Sequence, residues 1–263
     1  MALIQHKNDQ VRFEQQVENA RDFVLPFVQE SKKLSAATMV MEIGCGEGGV
    51  LKPFLDAGCI GVGVDLNPER IELAKGFLKA EVESGQVQFI CENVYNEHFL
   101  QTFRNMFDLI ILKDAIEHIP EQERFIPYLR NFLKPQGQIF FGFPPWYMPF
   151  GGHQQICEKK LTSKLPYYHI LPRPIYKGIL RIAGEDPGII RELMEIHQTQ
   201  ITIERFESIV RDAGFDIKNK RHYLINPIYR YKFGMQPKVQ YSWIRKLPFI
   251  RNFLTTCVYY TIG

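Results

Sequence analysis

The chain has 263 residues, 45% of them hydrophobic, a formal net charge of +3 and an isoelectric point near 8.5. That length suits one large α/β domain with a buried core, and two full domains would be cramped. So mild a basic excess ranks nucleic acid low as a partner. Five scattered cysteines (Cys45, Cys59, Cys91, Cys157, Cys257) with no CxxC pair argue against zinc and a disulfide framework, and fit a reducing cytoplasm. The opening MALIQHKNDQ lacks an apolar run behind a basic start, so it does not read as a signal peptide, and no apolar run is long enough to predict a spanning helix.

Residues 11–34 read as a helix, with Phe13, Val17, Ala20, Val24 and Phe27 at three- and four-residue steps and Pro26 able to kink or divide it. TMVMEIG is a short apolar run stopping at glycines, the pattern of a buried parallel strand, and residues 49–57 form the next helix. IGVGVDL is a second strand, PERIELAKGFLKAEVE a helix with Pro68 in its first turn, and VQFICENV a third strand. FDLIILKDAIEHI is a fourth strand entering a loop, EQERFIPYLRNFL a helix closed by a KPQG turn, and GQIFFGFPP a fifth strand. From Pro144 to about His197 the pattern breaks into Pro, Gly, Tyr and His without a clear period, too long for an ordinary connection. TIERFESIVRDAGF resumes as a helix ending at Gly214, FDIKNKRHYLI is a strand, WIRKLPFIRNFL looks helical, and TTCVYYTIG is a last strand. The alternation predicts an α/β fold: a doubly wound, mostly parallel seven-stranded sheet with helices on both faces and an insertion after the fifth strand.

The chemistry-bearing motif is MEIGCGEGG, between a strand and a helix. Glycines allow a tight turn and close approach to a ligand, and the helix start offers free N–H groups. Gly44, Gly46 and Gly49 also satisfy the dinucleotide fingerprint, so a nicotinamide or flavin enzyme, or a turn holding no ligand, stays open on the glycines alone. Asp65 ends the second strand about 20 residues on, where a carboxylate accepts ribose hydroxyl protons; nicotinamide enzymes use the same device. Glu42 tilts the balance, because a carboxylate just before the turn repels a pyrophosphate but suits a ligand carrying ammonium and sulfonium charge. A solvated strand-end acid is the plainer reading of that residue.

EIGCGEG (42–48), VDLNP (64–68), ENV (92–94), FDLIILKDAIEHI (107–119) and LKPQGQIFFGFPP (133–145), in that order, resemble the class I, Rossmann-like, S-adenosylmethionine-dependent methyltransferases. Within them the chain is most similar to the small-molecule branch that includes the ubiquinone-pathway O-methyltransferases. The resemblance implies S-adenosylmethionine as cofactor and S-adenosylhomocysteine as product. It implies Glu42, Gly44, Cys45 and Gly46 around the methionine portion, Asp65 on the ribose, and Leu66 and Asn67 beside the adenine. Asn93 and Val94 would meet the adenine amine and ring face, although many members have Asp where this chain has Asn93. Lys113 and Asp114 would lie near the sulfonium, with Asp114 facing the substrate.

Methyl transfer needs alignment and, for an oxygen nucleophile, a base, a task suited to histidine. His153, behind Gly151 and Gly152 at the carboxyl edge of the fifth strand, is the preferred catalytic base; His118 in DAIEHI is the second choice. Each also has a plain reading, as a surface-loop and a packing histidine respectively. Trp146 and Tyr147 can form an aromatic substrate wall or pack under the insertion. His169, His197 and His222 show no metal-ligand spacing, and no metal site is read.

The expected organisation is one methyltransferase domain over residues 1–263, with 1–37 an N-terminal helical lid and 145–200 a substrate-binding insertion. LPRPIYKGILRIAG and WIRKLPFIRNFL are basic and apolar at helical spacing, which fits either packing on the sheet or peripheral contact with an anionic membrane; in the latter case a lipid-linked acceptor becomes the better match. The resulting expectation is an enzyme transferring a methyl group to a small molecule, with oxygen the favoured acceptor atom, in the cytoplasm or at a membrane face. The competing readings are a nicotinamide-dependent oxidoreductase and a cofactor-binding protein without catalysis.

Overall fold

The computed structural model describes residues 8–263, so most of the opening segment read for a leader lies outside the described residues. Five strands form the parallel part of the sheet: β1 (Met39–Ile43), β2 (Ile60–Asp65), β3 (Val87–Cys91), β4 (Phe107–Lys113) and β5 (Leu133–Phe143). The chain then adds β6 (Ile217–Ile225), β7 (Lys238–Val239) and β8 (Cys257–Ile262), giving the order β3-β2-β1-β4-β5-β8-β6-β7. β8 inserts antiparallel between β5 and β6. Strand order reverses between β1 and β4, and that switch point opens a crevice at the carboxyl ends of the strands.

Neighbouring residues of a strand point to opposite faces, so each parallel strand needs apolar side chains on both. Met41, Ile110, Leu112 and Phe141 enter one core with Phe125 and Phe206, while Val40, Leu109, Ile111 and Phe140 enter the other, under Ala20, Val24 and Phe27 of the N-terminal helices. Glu42 shares the parity of Val40 and is buried. A third, smaller core (Cys157, Tyr168, Tyr176, Leu180, Leu193, Met194) lies within the insertion.

The sheet is thus Rossmann-like as read, with the two-residue β7 as an eighth strand beyond the seven expected. Other departures have local causes. The helix expected over 11–34 is a helix at Asp9–Asn19, a wider π-type turn at Ala20–Val24, and a helix at Leu25–Gln29; Pro26, which has no N–H to donate, lies just past the wider turn. The expected KPQG turn belongs to β5, with Gln136 left-handed and a register shift against β4. WIRKLPFIRNFL is two single turns, Ser242–Arg245 and Ile250–Phe253, separated by Pro248 and by Phe249 at φ +63°. The region without a clear period holds two regular helices, Arg173–Ile182 and Pro187–Thr199.

Candidate active site

The glycine turn leaves β1 at the switch point. Gly44 has φ +74°, and a Cβ there would stand 3.0 Å from that of Ala115. Gly44 and Cys45 donate to the Val64 carbonyl, which ties the turn to the end of β2. There Asp65 accepts from the Gly46 N–H and the Asn67 N–H, both at 2.9 Å, so one carboxylate spans the turn and the next helix start. Asn67 caps helix Pro68–Phe77. Asp65, Leu66 and Asn67, with Pro68 and Glu69, line an open cleft of about 480 Å³. Asn93 is exposed beyond β3 with its Oδ1 taken by the Tyr95 N–H, and Val94 is buried below it. The exposed Cys91 thiol donates to the Leu66 carbonyl at 3.6 Å, joining these two edges.

Glu42 is the unusual group. It is buried, its Oε2 has no hydrogen-bond partner, and burial raises its carboxyl well above the ordinary range. Asp65 and Glu47 raise it further, opposed by the Lys113 ammonium. Glu47, from the same turn and not singled out in the sequence, is also buried; Arg12 of the first helix pairs with it, and Arg70 stands 3.9 Å away. The first helix therefore sits on the turn. A Cβ on Gly49 would lie 2.7 Å from Cβ of Gln16 and 2.8 Å from the Phe13 carbonyl. Cys45 contributes a buried, free thiol that burial pushes well up, an inert filler rather than a nucleophile.

Lys113 lies buried along Gly142 of β5 and pairs with Asp114, whose left-handed backbone donates its N–H to the Gly142 carbonyl at 2.7 Å. Past Asp114 the chain makes a turn at Ile116–His118. His153 arrives from the other side with φ +56°. Gly151 and Gly152 let its loop press close, because a Cβ would lie 2.1 Å from the Trp146 carbonyl at the first and 2.5 Å from His169 Cβ at the second. The rings of His118 and His153 meet edge to face with centroids 5.0 Å apart. His153 Nε2 is 3.6 Å from Oε1 of Glu117. Packing and its neighbour His118 hold the His153 imidazole down at about 3, hence neutral near pH 7. Glu117 is buried with neither carboxyl oxygen hydrogen-bonded, and burial, with Asp114, drives its carboxyl well up. Sequence spacing pointed to no metal site, yet Glu117, His118 and His153 bring ligand atoms within 4.8 Å of one another, close enough to share a cation. The signal was the Glu immediately before His118; its inward direction follows from the turn and not from the pattern.

Of the two readings of Trp146 and Tyr147, packing describes their placement better than a substrate wall. Trp146 is buried in packing between His169 and His197, and its carbonyl is 2.8 Å from Nε2 of His169. Tyr147 stacks on Phe253 and edges Phe249. Neither lines the nearby apolar cavity of about 430 Å³, whose walls include Met148, Phe150, Lys164, Tyr229, Phe233 and Met235. Its wall from residues 229–235 was missed because that short helical segment carries no motif.

With this geometry in hand, the comparisons are specific. Residues 41–141 match the family model described as a methyltransferase domain. Over these residues the chain is similar to methyltransferase domains. A ubiquinone biosynthesis O-methyltransferase of Coxiella burnetii is 29% identical over 102 residues, covering 39% of this chain and 42% of that protein; the match thus spans less than half the length of the relative. Among solved structures, geranyl diphosphate C-methyltransferase from Streptomyces coelicolor shares the fold with TM-score 0.55 at 10% identity, over 91% of this chain and 77% of that one. A 4+2 cyclase, SpnF, shares it with TM-score 0.54 at 14% identity, over 92% and 80%. The methyltransferase-domain match ends before the insertion and β6.

Proposed function

We propose that the chain is an S-adenosylmethionine-dependent methyltransferase acting on a small molecule, with oxygen as the acceptor atom. The observation that carries the reading is Glu42: a buried carboxyl with an unpartnered oxygen, under a glycine turn and near Asp65. A cationic amino-acid end draws the proton from Glu42 and satisfies that oxygen, whereas a pyrophosphate would leave it unpartnered and meet Asp65 as a like charge. Bound there, the cofactor supplies a methyl group already activated for in-line displacement. Asp65 holds the ribose, Leu66 and Asn67 flank the adenine beside Asn93 and Val94, and the first helix, fastened through Arg12, serves as a lid. Shared folds alone do not decide chemistry, as the cyclase illustrates.

His153 is the base in this reading. Its neutral imidazole can take a hydroxyl proton, and the Asp114 carboxylate, which Lys113 holds below its ordinary range, favours the cation that forms. Asp114 and the insertion face the acceptor. The apolar lining of the 430 Å³ cavity suits an acceptor with a hydrophobic body, including a lipid-linked one. Five free cysteines support a reducing, cytoplasmic setting, and among the described residues no helix is long and apolar enough to cross a membrane.

Calorimetry with S-adenosylhomocysteine and with NADH tests the core of the reading. Wild type should bind the thioether and ignore the dinucleotide, and Glu42→Gln should weaken thioether binding. Preference for NADH overturns the proposal; tight thioether binding without methyl transfer to any of a broad acceptor panel leaves a cofactor-binding protein instead.

A further inference from the structure

Charge is segregated along this chain. Residues 217–263 contain nine Lys and Arg and no Asp or Glu, and residues 159–184 contain six and none, in a protein whose net charge is only +3. Both stretches also carry large apolar side chains on the outside. Leu161 is 73% exposed and Ile182 90%, and between 233 and 254 Phe233, Met235, Trp243 (63%), Phe249, Ile250 and Leu254 are exposed. The stretches meet. Tyr167 reaches Phe253, ring to ring at 6.3 Å and with its hydroxyl 3.4 Å from the Phe253 carbonyl. They also meet across the apolar cavity, where Lys164 faces Phe233 and Met235.

The display is held in place rather than loose. Arg251 pairs with Glu204 and Glu207 at 2.7 Å each, and Asn252 bonds Glu204, so the segment is clasped to helix Ile203–Asp212. Glu204 also accepts the N–H of Phe249 at 2.9 Å, fixing its left-handed backbone with the ring outward. Glu204 and Glu207 are taken by this clasp, and Lys218, Arg221 and Arg230 pair with Asp216, Glu30 and Asp22. Among the described residues no carboxylate lies within ion-pair distance of Lys160, Lys164, Lys177, Arg181, Lys238 or Lys246. Core packing, the plainer expectation for these two stretches, does not account for exposed Trp243 and Ile182, which lie close in sequence to Lys246 and Arg181.

We propose that this surface docks on an anionic lipid bilayer, with Trp243, Phe249 and Ile250 entering the interface and the lysines and arginines meeting the headgroups. Apolar side chains sink into the headgroup boundary while basic ones are attracted to an anionic leaflet. The apolar cavity opens in the same region, so an acceptor with a hydrocarbon body can pass from bilayer to site. The docking surface stands without the transfer reaction; only this delivery step rests on it.

The test is co-sedimentation of the full chain with vesicles of phosphatidylcholine alone or mixed with phosphatidylglycerol. Binding should require phosphatidylglycerol and fade by about 0.5 M salt, where screening shortens to a few ångströms. A Trp243→Ser/Ile250→Ser variant, and separately Lys160→Gln/Lys238→Gln/Lys246→Gln, should each reduce partitioning about tenfold or more with S-adenosylhomocysteine binding unchanged, which also reports that the variants fold. No binding of wild type, equal binding by the variants, or retention on poly(U) RNA without retention on vesicles each overturns the proposal. None of those outcomes touches the cofactor reading, which fails only by calorimetry.

Discussion

Asp65 illustrates how much one side chain can be asked to do. Its two oxygens hold Gly46 and Asn67 by their N–H groups and keep lone pairs for a ribose. Asp65→Ala should therefore weaken S-adenosylhomocysteine binding by about 1–3 kcal/mol, read by calorimetry, because a charged acceptor is lost from a prepared site. Unchanged affinity would remove the ribose assignment. His153 makes a contrasting prediction. His153→Ala should lower turnover by about a hundredfold or more while leaving cofactor affinity within twofold, the split expected of a base. Glu117→Gln separates two uses of the same cluster. If Glu117 supports the imidazole, the loss persists in chelator; if the three residues hold a cation, wild-type activity falls with chelator and returns with added divalent metal.

Among the elements, the first helix and the glycine turn behave as a single unit. Phe13 stacks on Phe77 with centroids 4.7 Å apart, Arg12 pairs with Glu47, and Gly49 leaves no space for a methyl group. Gly49→Ala should push the helix off the turn, costing about 1–3 kcal/mol of stability in urea unfolding and weakening cofactor binding in parallel. A variant as stable as wild type would show the helix free to shift. The turn, its strand and Asp65 were legible in the sequence because glycine spacing and strand-end carboxylates are local signals. Strand limits followed from apolar runs bounded by Gly and Pro, except at β5, which extends back through Gly137 to Leu133. What was not legible depends on contacts distant in sequence: Glu47 meeting Arg12 and Glu117 meeting His153. The single turns near Trp243 defeated periodicity for another reason. Their apolar residues face solvent, so the pattern carries no information about a core.

For the whole molecule, the folding equilibrium couples to pH through buried histidines. Burial holds His169 and His222 at about 4 in the folded chain. In the unfolded chain they titrate near about 6.5. Below pH 6.5 the unfolded chain thus binds more protons, so their contribution to stability is full above 6.5 and is lost as pH falls towards 4. Glu42 and Glu117, with raised carboxyls, act in the opposite sense and flatten the bulk profile. A difference measurement isolates the effect. The stability gap between wild type and His222→Gln should change by about 2 kcal/mol in favour of the variant between pH 7 and 5, by urea unfolding. A constant gap would mean that His222 stays accessible to protons.

The Cys91 thiol has a practical corollary. It is the exposed one of five, and it sits at the carboxyl end of β3, bonded to the Leu66 carbonyl beside the cleft. A maleimide dye offered to the folded chain meets four sulfurs sealed in the interior and one at the surface. The native protein thus comes with a single attachment point for a fluorophore, a short step from the edge where a nucleoside would settle, and its occupancy can be followed by emission without engineering any residue.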